Sequence, residues 1–292
     1  MAAADPPSVA GLPDRLARPG RCLVMGVVNV TPDSFSDGGR YLQPDKALAH
    51  GLALVGQGAD LVDVGGESTR PGATRPSEAE ELARVLPVVS GLAAAGVLVS
   101  VDTMRASVAE AAVDAGAVLV NDVSGGRADP AMLGAVARLG VPYVLMHWRA
   151  HSESMQQHTT YGDVVGDVVA ELRTQLDAAA AAGVDLDRVV VDPGIGFSKT
   201  GDQNWELLAG LDRLGGLGRP VLVATSRKRF LGHLLAEDGV LRPPVERDDA
   251  TTATSALAAA RGAWCVRVHD VRGSADAVRV AARWTHDAGR RW

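Results

Sequence analysis

The sequence is poor in cysteine, in aromatic rings and in positive charge, and each shortage closes off a class of protein. Its two cysteines, Cys22 and Cys265, are too few for a disulfide scaffold. They fall in the first and last apolar runs that read as strands, and free, buried thiols behaving as small hydrophobes are expected. Aromatic residues make up 4% of the chain, which suits close helix-on-strand packing more than an aromatic-rich binding platform. The formal net charge of −6 does not suit a nucleic-acid binder. It leaves room for an anionic ligand, because a site needs local cations and not a basic protein. No apolar stretch approaches the length of a membrane span. The first 20 residues, rich in Ala and Pro, lack the apolar core of a secretory signal. A cytoplasmic protein is expected, with no nucleic-acid or membrane partner. A frayed, disordered tail over 1–20 would precede one domain over 21–292.

At 292 residues the chain would make one large domain or two ordinary ones. A compact chain near this size buries about 75% of its unfolded surface and needs no disulfide or metal staple. What the sequence has in plenty is short apolar runs that stop at a polar residue. Asn29 ends Leu23 to Val28, Asp63 follows Leu61-Val62, and Asp102 follows Leu98-Val-Ser-Val101. Asn121-Asp122, His147 and Asp192 close three more runs, and Arg267 and His269 flank Val268. Strands are expected at 22–28, 60–64, 97–101, 117–121, 142–147, 188–192, 220–224 and 264–268. Several are continuous Val/Leu runs without alternation, as in parallel strands covered on both faces. Helical stretches lie between them, at 45–57, 77–95, 105–115, 130–139, 163–182, 205–211 and 251–261. Gly58, Gly96, Gly116, Gly140, Gly183 and Gly262 stand where a left-handed helix cap is expected. Eight strands alternating with helices predict a single α/β domain, a (β/α)₈ TIM barrel of parallel strands with its polar tips at one mouth. Long loops over 148–162 and 236–249 interrupt the rhythm.

Four segments could carry chemistry. The amide oxygen of Asn29 could help hold a divalent cation that also sees phosphate and water, as Mg²⁺ prefers, although turns use asparagine freely. After Asp63 come paired glycines, hydroxyls and Arg70-Pro71, a loop able to present a cation to an anionic group. Asp102, Asn121 and Asp192 each end a strand, and two carboxylates with an amide complement a heterocycle that has several N–H donors. Helix capping is the alternative for Asp102, and a carboxylate metal site is a second one. Finally, Ser226-Arg227-Lys228-Arg229 follows the seventh strand, and Arg267 and His269 share a face of the eighth. Barrels commonly bind phosphate at the loops after these strands. Trp205, Trp284, Trp292, His50, His233 and His286 are read as structural, and a structural hydrogen bond is expected of His147.

At these residues the chain resembles the dihydropteroate synthase family of the folate pathway, a target of sulfonamides. Gly26–Gly39 and Gly65-Gly-Glu-Ser-Thr-Arg-Pro-Gly72 carry the resemblance. Asp102-Thr-Met-Arg105, Asn121-Asp-Val-Ser-Gly125, Asp192-Pro-Gly-Ile-Gly-Phe197, Ser226-Arg-Lys228 and Arg267-Val-His-Asp-Val271 support it, in the style of actinobacterial members. The resemblance implies a barrel, usually a homodimer, that joins 6-hydroxymethyl-7,8-dihydropterin diphosphate to 4-aminobenzoate and releases diphosphate. It implies that Asp102, Asn121, Asp192 and Lys228 hold the pterin, and that Asn29 helps bind Mg²⁺ on the diphosphate, whose oxygens Arg267 and His269 grip. Arg70, with Thr69, Pro71, Phe197 and Ser226, would form the aminobenzoate site once the first two loops close. Catalysis is expected of Arg70, Asp102, Asp192 and Lys228. Ala224 and Arg229 stand where many relatives have glycine and several have serine. A pterin-dependent methyltransferase would share the barrel and the acids but would have no use for Arg70 or for Arg267 with His269. A non-catalytic pterin-binding paralogue should have lost loop or anion residues.

Overall fold

The valine-rich runs form eight strands, and all the pairings between them are parallel. A computed structural model describes residues 8–17, 20–31, 43–68, 75–151 and 154–288. The first four strands are β1 (Leu23–Asn29), β2 (Leu61–Gly65), β3 (Val99–Asp102) and β4 (Leu119–Asp122). They are followed by β5 (Tyr143–Met146), β6 (Val189–Asp192), β7 (Leu222–Val223) and β8 (Cys265–Val268). The order is β6-β5-β4-β3-β2-β1-β8-β7, and a parallel bridge between Val191 and Val221 brings the two ends of the sheet together. Helices alternate with strands, as expected. They are α1 (Asp14–Ala17), α2 (Gln43–Gly56), α3 (Glu78–Ala94), α4 (Ala106–Asp114) and α5 (Met132–Leu139). Then come α6 (Val164–Ala181), α7 (Gly201–Ala209), α8 (Leu211–Gly215), α9 (Arg229–Leu234), α10 (Asp248–Ala260) and α11 (Val271–Ala288). Among the described residues no helix is long and apolar enough to cross a membrane.

Alternate residues of each strand serve two cores. Val24, Val62, Val101, Val120 and Val191 face outward to the helices. Leu23, Met25, Leu61, Leu119, Val144 and Leu222 pack together inside the barrel. The same alternation settles the cysteines. Both are buried and free, with Cys22 in the outer core and Cys265 in the inner one, so neighbouring strands do not bring the thiols together.

Three local expectations meet a different arrangement. The seventh strand is shorter than 220–224, because Pro220 has no N–H to give the ladder and the Thr225 hydroxyl lies 2.8 Å from that of Thr254 in α10. The helix expected at 205–211 starts at Gly201, where Thr200 and Gln203 form a capping box, and breaks at Gly210 into α7 and α8. Part of the tail expected to be loose is docked instead. Val9, Leu12 and Leu16 are buried in the inner core, the Trp264 indole N–H donates to the Leu16 carbonyl at 3.2 Å, and the Ala10 N–H donates to the Asp187 carbonyl at 2.8 Å. These three side chains, spaced among prolines and glycines, cover the barrel end opposite the polar tips. Leu16→Ala is therefore expected to lower unfolding stability by about 2–5 kcal/mol in urea titration, and a loss below about 1 kcal/mol would show that the plug is dispensable.

Candidate active site

Parallel strands deliver their C-terminal tips to one end, so inward residues near those tips converge. Asn29 pairs in register with Gly65, Gly65 with Asp102, and Asp102 with Asn121, which makes a continuous row across β1 to β4. Asp63, Asp102, Asn121 and Asp192 are all buried. Arg267 reaches from β8 into this row. Its Nε donates to Asp63 Oδ2 at 2.6 Å and its Nη2 donates to Asp102 Oδ2 at 2.7 Å. The Asn121 amide donates to the same Asp63 oxygen at 2.9 Å. Asp63 Oδ1 is buried with no hydrogen-bond partner among the described residues.

Dryness sets the protonation of the cluster. Burial pushes the Asp102 carboxyl up to about 7, although the Arg267 guanidinium pulls it down. Burial by itself would lower Arg267, but the carboxylates of Asp63 and Asp102 hold it above its ordinary range. Asp192 is also pushed up by burial, against the pull of Lys228, and its Oδ1 accepts from the Gly194 N–H at 2.7 Å. Lys228 is lowered to about 8 by burial, with Asp192 opposing the fall. Its ammonium donates to the Ile195 carbonyl and lies 4.9 Å from the centroid of the Phe197 ring.

The cleft above this cluster measures about 800 Å³. Of the residues singled out in the sequence, Asn29, Asp102, Asn121, Asp192, Phe197, Ser226, Lys228, Arg267 and His269 line it. Ala224 contributes a methyl group to the floor, and Arg229 stands exposed at the rim. Ser226 Oγ accepts from the His269 backbone N–H at 3.1 Å and lies 2.9 Å from His269 Nδ1, so the tips of β7 and β8 are tied together. Arg227 turns aside into a double hydrogen bond with Asp248, at 2.8 and 2.7 Å. Thr69, Arg70 and Pro71 lie outside the described residues, as does the loop that follows Thr31.

Several groups escaped sequence reasoning. Asp63 is the residue on which Arg267 and Asn121 both converge, and its spacing of two from Leu61 would have put it on the inner face. Glu67 also borders the cleft, where it meets Arg75 at 3.0 Å and Arg105 at 3.4 Å. Gly66, one of the paired glycines after Asp63, is a packing requirement, because a Cβ there would come within 2.8 Å of Val85. Lys199 lines the cleft and no sequence signal marked it. Among the described residues no three His, Cys, Asp or Glu side chains are grouped to hold a metal ion. The arrangement offers paired carboxylates and an amide to N–H donors below, and cations to an anion above.

Comparison with known proteins matches this chain to the family described as pterin binding enzyme over residues 25–269. A dihydropteroate synthase of Mycobacterium leprae is 59% identical over 265 residues, which cover 90% of this chain and 93% of that protein. A dihydropteroate synthase of Xanthomonas albilineans solved with 4-aminobenzoic acid superposes with a TM-score of 0.86 at 45% identity, covering 97% of this chain and 98% of the other. The same enzyme in complex with 7,8-dihydropteroate gives a TM-score of 0.81 at 45% identity, covering 92% and 94%.

Removing one partner from the inner ion cluster leaves buried charge uncompensated. Asp63→Leu is expected to destabilise the fold by about 3–5 kcal/mol in denaturant titration. A loss below about 1 kcal/mol would mean that the cluster does not hold the barrel mouth.

Proposed function

The chain belongs to the pterin-binding enzymes and, within them, to the dihydropteroate synthases, and from that premise we propose how its strand-tip residues divide the reaction. It is a transferase of folate synthesis that condenses 6-hydroxymethyl-7,8-dihydropterin diphosphate with 4-aminobenzoate to give 7,8-dihydropteroate and diphosphate. One observation carries the division of labour: Asp102, Asn121 and Asp192 converge in the cleft beneath Lys228 and Arg267. Asp102 and Asp192 accept the paired N–H donors of the aminopyrimidinone, and Asn121 both donates and accepts. The Asp63–Arg267 pairing keeps Asp102 and Asn121 aimed before substrate arrives, so little reorganisation is left for the reaction itself.

As the diphosphate departs, positive charge develops on the pterin methylene, and the buried carboxylates stabilise it. Arg267 and His269 take the leaving oxygens, and the aromatic amine attacks from the opposite side. No covalent enzyme intermediate is required. Phe197 and Ser226 wall the aminobenzoate side, where Arg70, Thr69 and Pro71 would meet the carboxylate from their loop. Closure there excludes water, which would otherwise capture the cation.

Mg²⁺ fits a site that, among the described residues, supplies an amide and no cluster of ligating side chains, because this ion keeps its waters and is shared with substrate phosphates. Asn29 at the tip of β1 is the residue that would hold it. When bound, the ion neutralises the charge that builds on the diphosphate. We also infer a cytoplasmic homodimer. The resemblance supports it, as do apolar side chains left in water on neighbouring helices: Leu257 of α10 is 58% exposed, and Val280 and Trp284 of α11 are 62% and 77% exposed.

Dihydropteroate formation from the two substrates is expected with Mg²⁺ and is expected to stop with a chelator. Lys228→Ala and Arg70→Ala should each lose about 100-fold or more in kcat/KM, the first through the pterin and the second through aminobenzoate. Full activity in either variant would sink its assigned role. Sedimentation equilibrium should give twice the chain mass of 30.2 kDa. A single species of chain mass at micromolar concentration would rule the dimer out.

A further inference from the structure

None of the steps above uses the second buried amine of the cleft. Lys199 is 3% exposed and follows Phe197 by two residues. Between them Ser198 turns the chain with a φ of 50°, a left-handed conformation that only a few non-glycine residues adopt. The Lys199 ammonium donates to the carbonyls of Gly194 and Phe197, each at 3.0 Å, and to His147 Nδ1 at 3.0 Å. A protonated amine has three hydrogens and no lone pair, so these acceptors match its full capacity.

His147 is itself held in one state. Its Nε2 lies 2.9 Å from Glu171 Oε2, and a carboxylate only accepts, so Nε2 carries the hydrogen and Nδ1 offers its lone pair to Lys199. Burial, with the Lys199 charge beside it, lowers His147 to about 4, so the ring stays neutral at working pH. Arg149 holds Glu171 through Oε2 at 3.1 Å and lies 3.7 Å from the Tyr161 ring centroid. A chain of contacts thus runs from Arg149 through Glu171 and His147 to Lys199.

The turn that Lys199 grips is also held from the cleft side. Gly194 donates to Asp192, the Ile195 carbonyl accepts from Lys228, and the Phe197 ring ends the turn in the cleft wall. Gly194 and Gly196 both have left-handed φ, at 66° and 83°, and a Cβ on Gly194 would come within 2.4 Å of the His147 carbonyl oxygen. The backbone is therefore committed to one path, and the two lysines between them hold three of its carbonyls, those of Gly194, Ile195 and Phe197.

We infer that Lys199 is a positioning residue for the condensation: its ammonium fixes the 194–197 turn and thereby sets Phe197 against aminobenzoate and the Ile195 carbonyl against Lys228. The inference rests on the assignment of Phe197 to the aminobenzoate side. The groups that face Lys199 are Asp192, Glu171, Arg149, Lys228, His147 and the Tyr161 ring. Burial brings its amine down to about 7, with Lys228 and Arg149 adding to the fall and Asp192 and Glu171 opposing it. As pH rises through that value the ammonium loses a hydrogen, one of the three acceptors goes unserved, and the turn slackens.

The test is steady-state kinetics of the parent, Lys199→Met and Glu171→Gln between about pH 6 and 9, with each substrate varied in turn. Lys199→Met should raise KM for aminobenzoate about tenfold or more, raise KM for the pterin diphosphate less than about threefold, and flatten the alkaline rise in aminobenzoate KM seen in the parent. Glu171→Gln, which removes a negative neighbour at a partly exposed site, should move that rise to lower pH. Equal losses for both substrates, an unchanged aminobenzoate KM, or one common alkaline limb in all three proteins would overturn the inference. If Lys199→Met does not fold, the direction of the Glu171→Gln shift decides. A parent that makes no dihydropteroate would overturn the substrate assignment first and this inference with it.

Discussion

A guanidinium wedged between two buried carboxylates organises the mouth of this barrel. Arg267 stands on β8, Asp63 on β2 and Asp102 on β3, so the ion pairs reach past β1 and tie the strands on either side of it. Each charge alone would be expensive in so dry a place, and the three are tolerable only together. That mutual dependence gives the cluster one geometry. Asn121 joins it through the oxygen of Asp63 that Arg267 uses, so four of the inner polar side chains are set by contacts within the protein before a ligand arrives. The lower dielectric of a buried site strengthens each of these contacts relative to water.

The two halves of the cleft differ in how they are held. Asp63, Asp102 and Asn121 stand on strands whose backbones are laddered to neighbours on both sides, and Asp192 on a strand laddered to β5, which suits recognition of a flat heterocycle with fixed donors. Phe197 and Ser226 stand on connections after strands, tied by the side chains of Lys199, Lys228 and His269 and not by a ladder. The floor is thus set by backbone ladders and the wall by side-chain contacts, so the two substrates meet surfaces that are held in different ways.

Much of this was legible in the sequence, for physical reasons. A parallel strand covered on both faces must be apolar along its length, so its polar tip announces itself; Asn29, Asp102, Asn121 and Asp192 were found in that way. Asp63 was seen as a strand end but not as the centre of the cluster, because its partners Arg267 and Asn121 lie 204 and 58 positions away in the chain. Lys199 could not be found by pattern. Two of its partners are backbone carbonyls, which leave no trace in composition, and the third, His147, lies 52 positions away. The docking of residues 8–17 escaped for a similar reason. Val9, Leu12 and Leu16 have the i, i+3, i+7 spacing of a helix face, but Pro7, Gly11 and Pro13 break the pattern, and the indole that meets Leu16 is 248 positions on.

The seam between β1 and β8 joins segments from opposite ends of the chain, with Leu23 beside Cys265 and Leu16 beneath Trp264. A ribosome releases β1 early and β8 only some 242 residues later (265 − 23). At about 5–20 residues per second, β1 waits on the order of 10–50 s for its second neighbour. Lengthening a loop adds little to its closure entropy, so the distance is felt in time more than in free energy. Through that interval one edge of β1 has no partner, and its valines have only half their packing. The seam that must wait longest for its second strand is therefore the place where a chain still being made is open to pairing with another copy of itself.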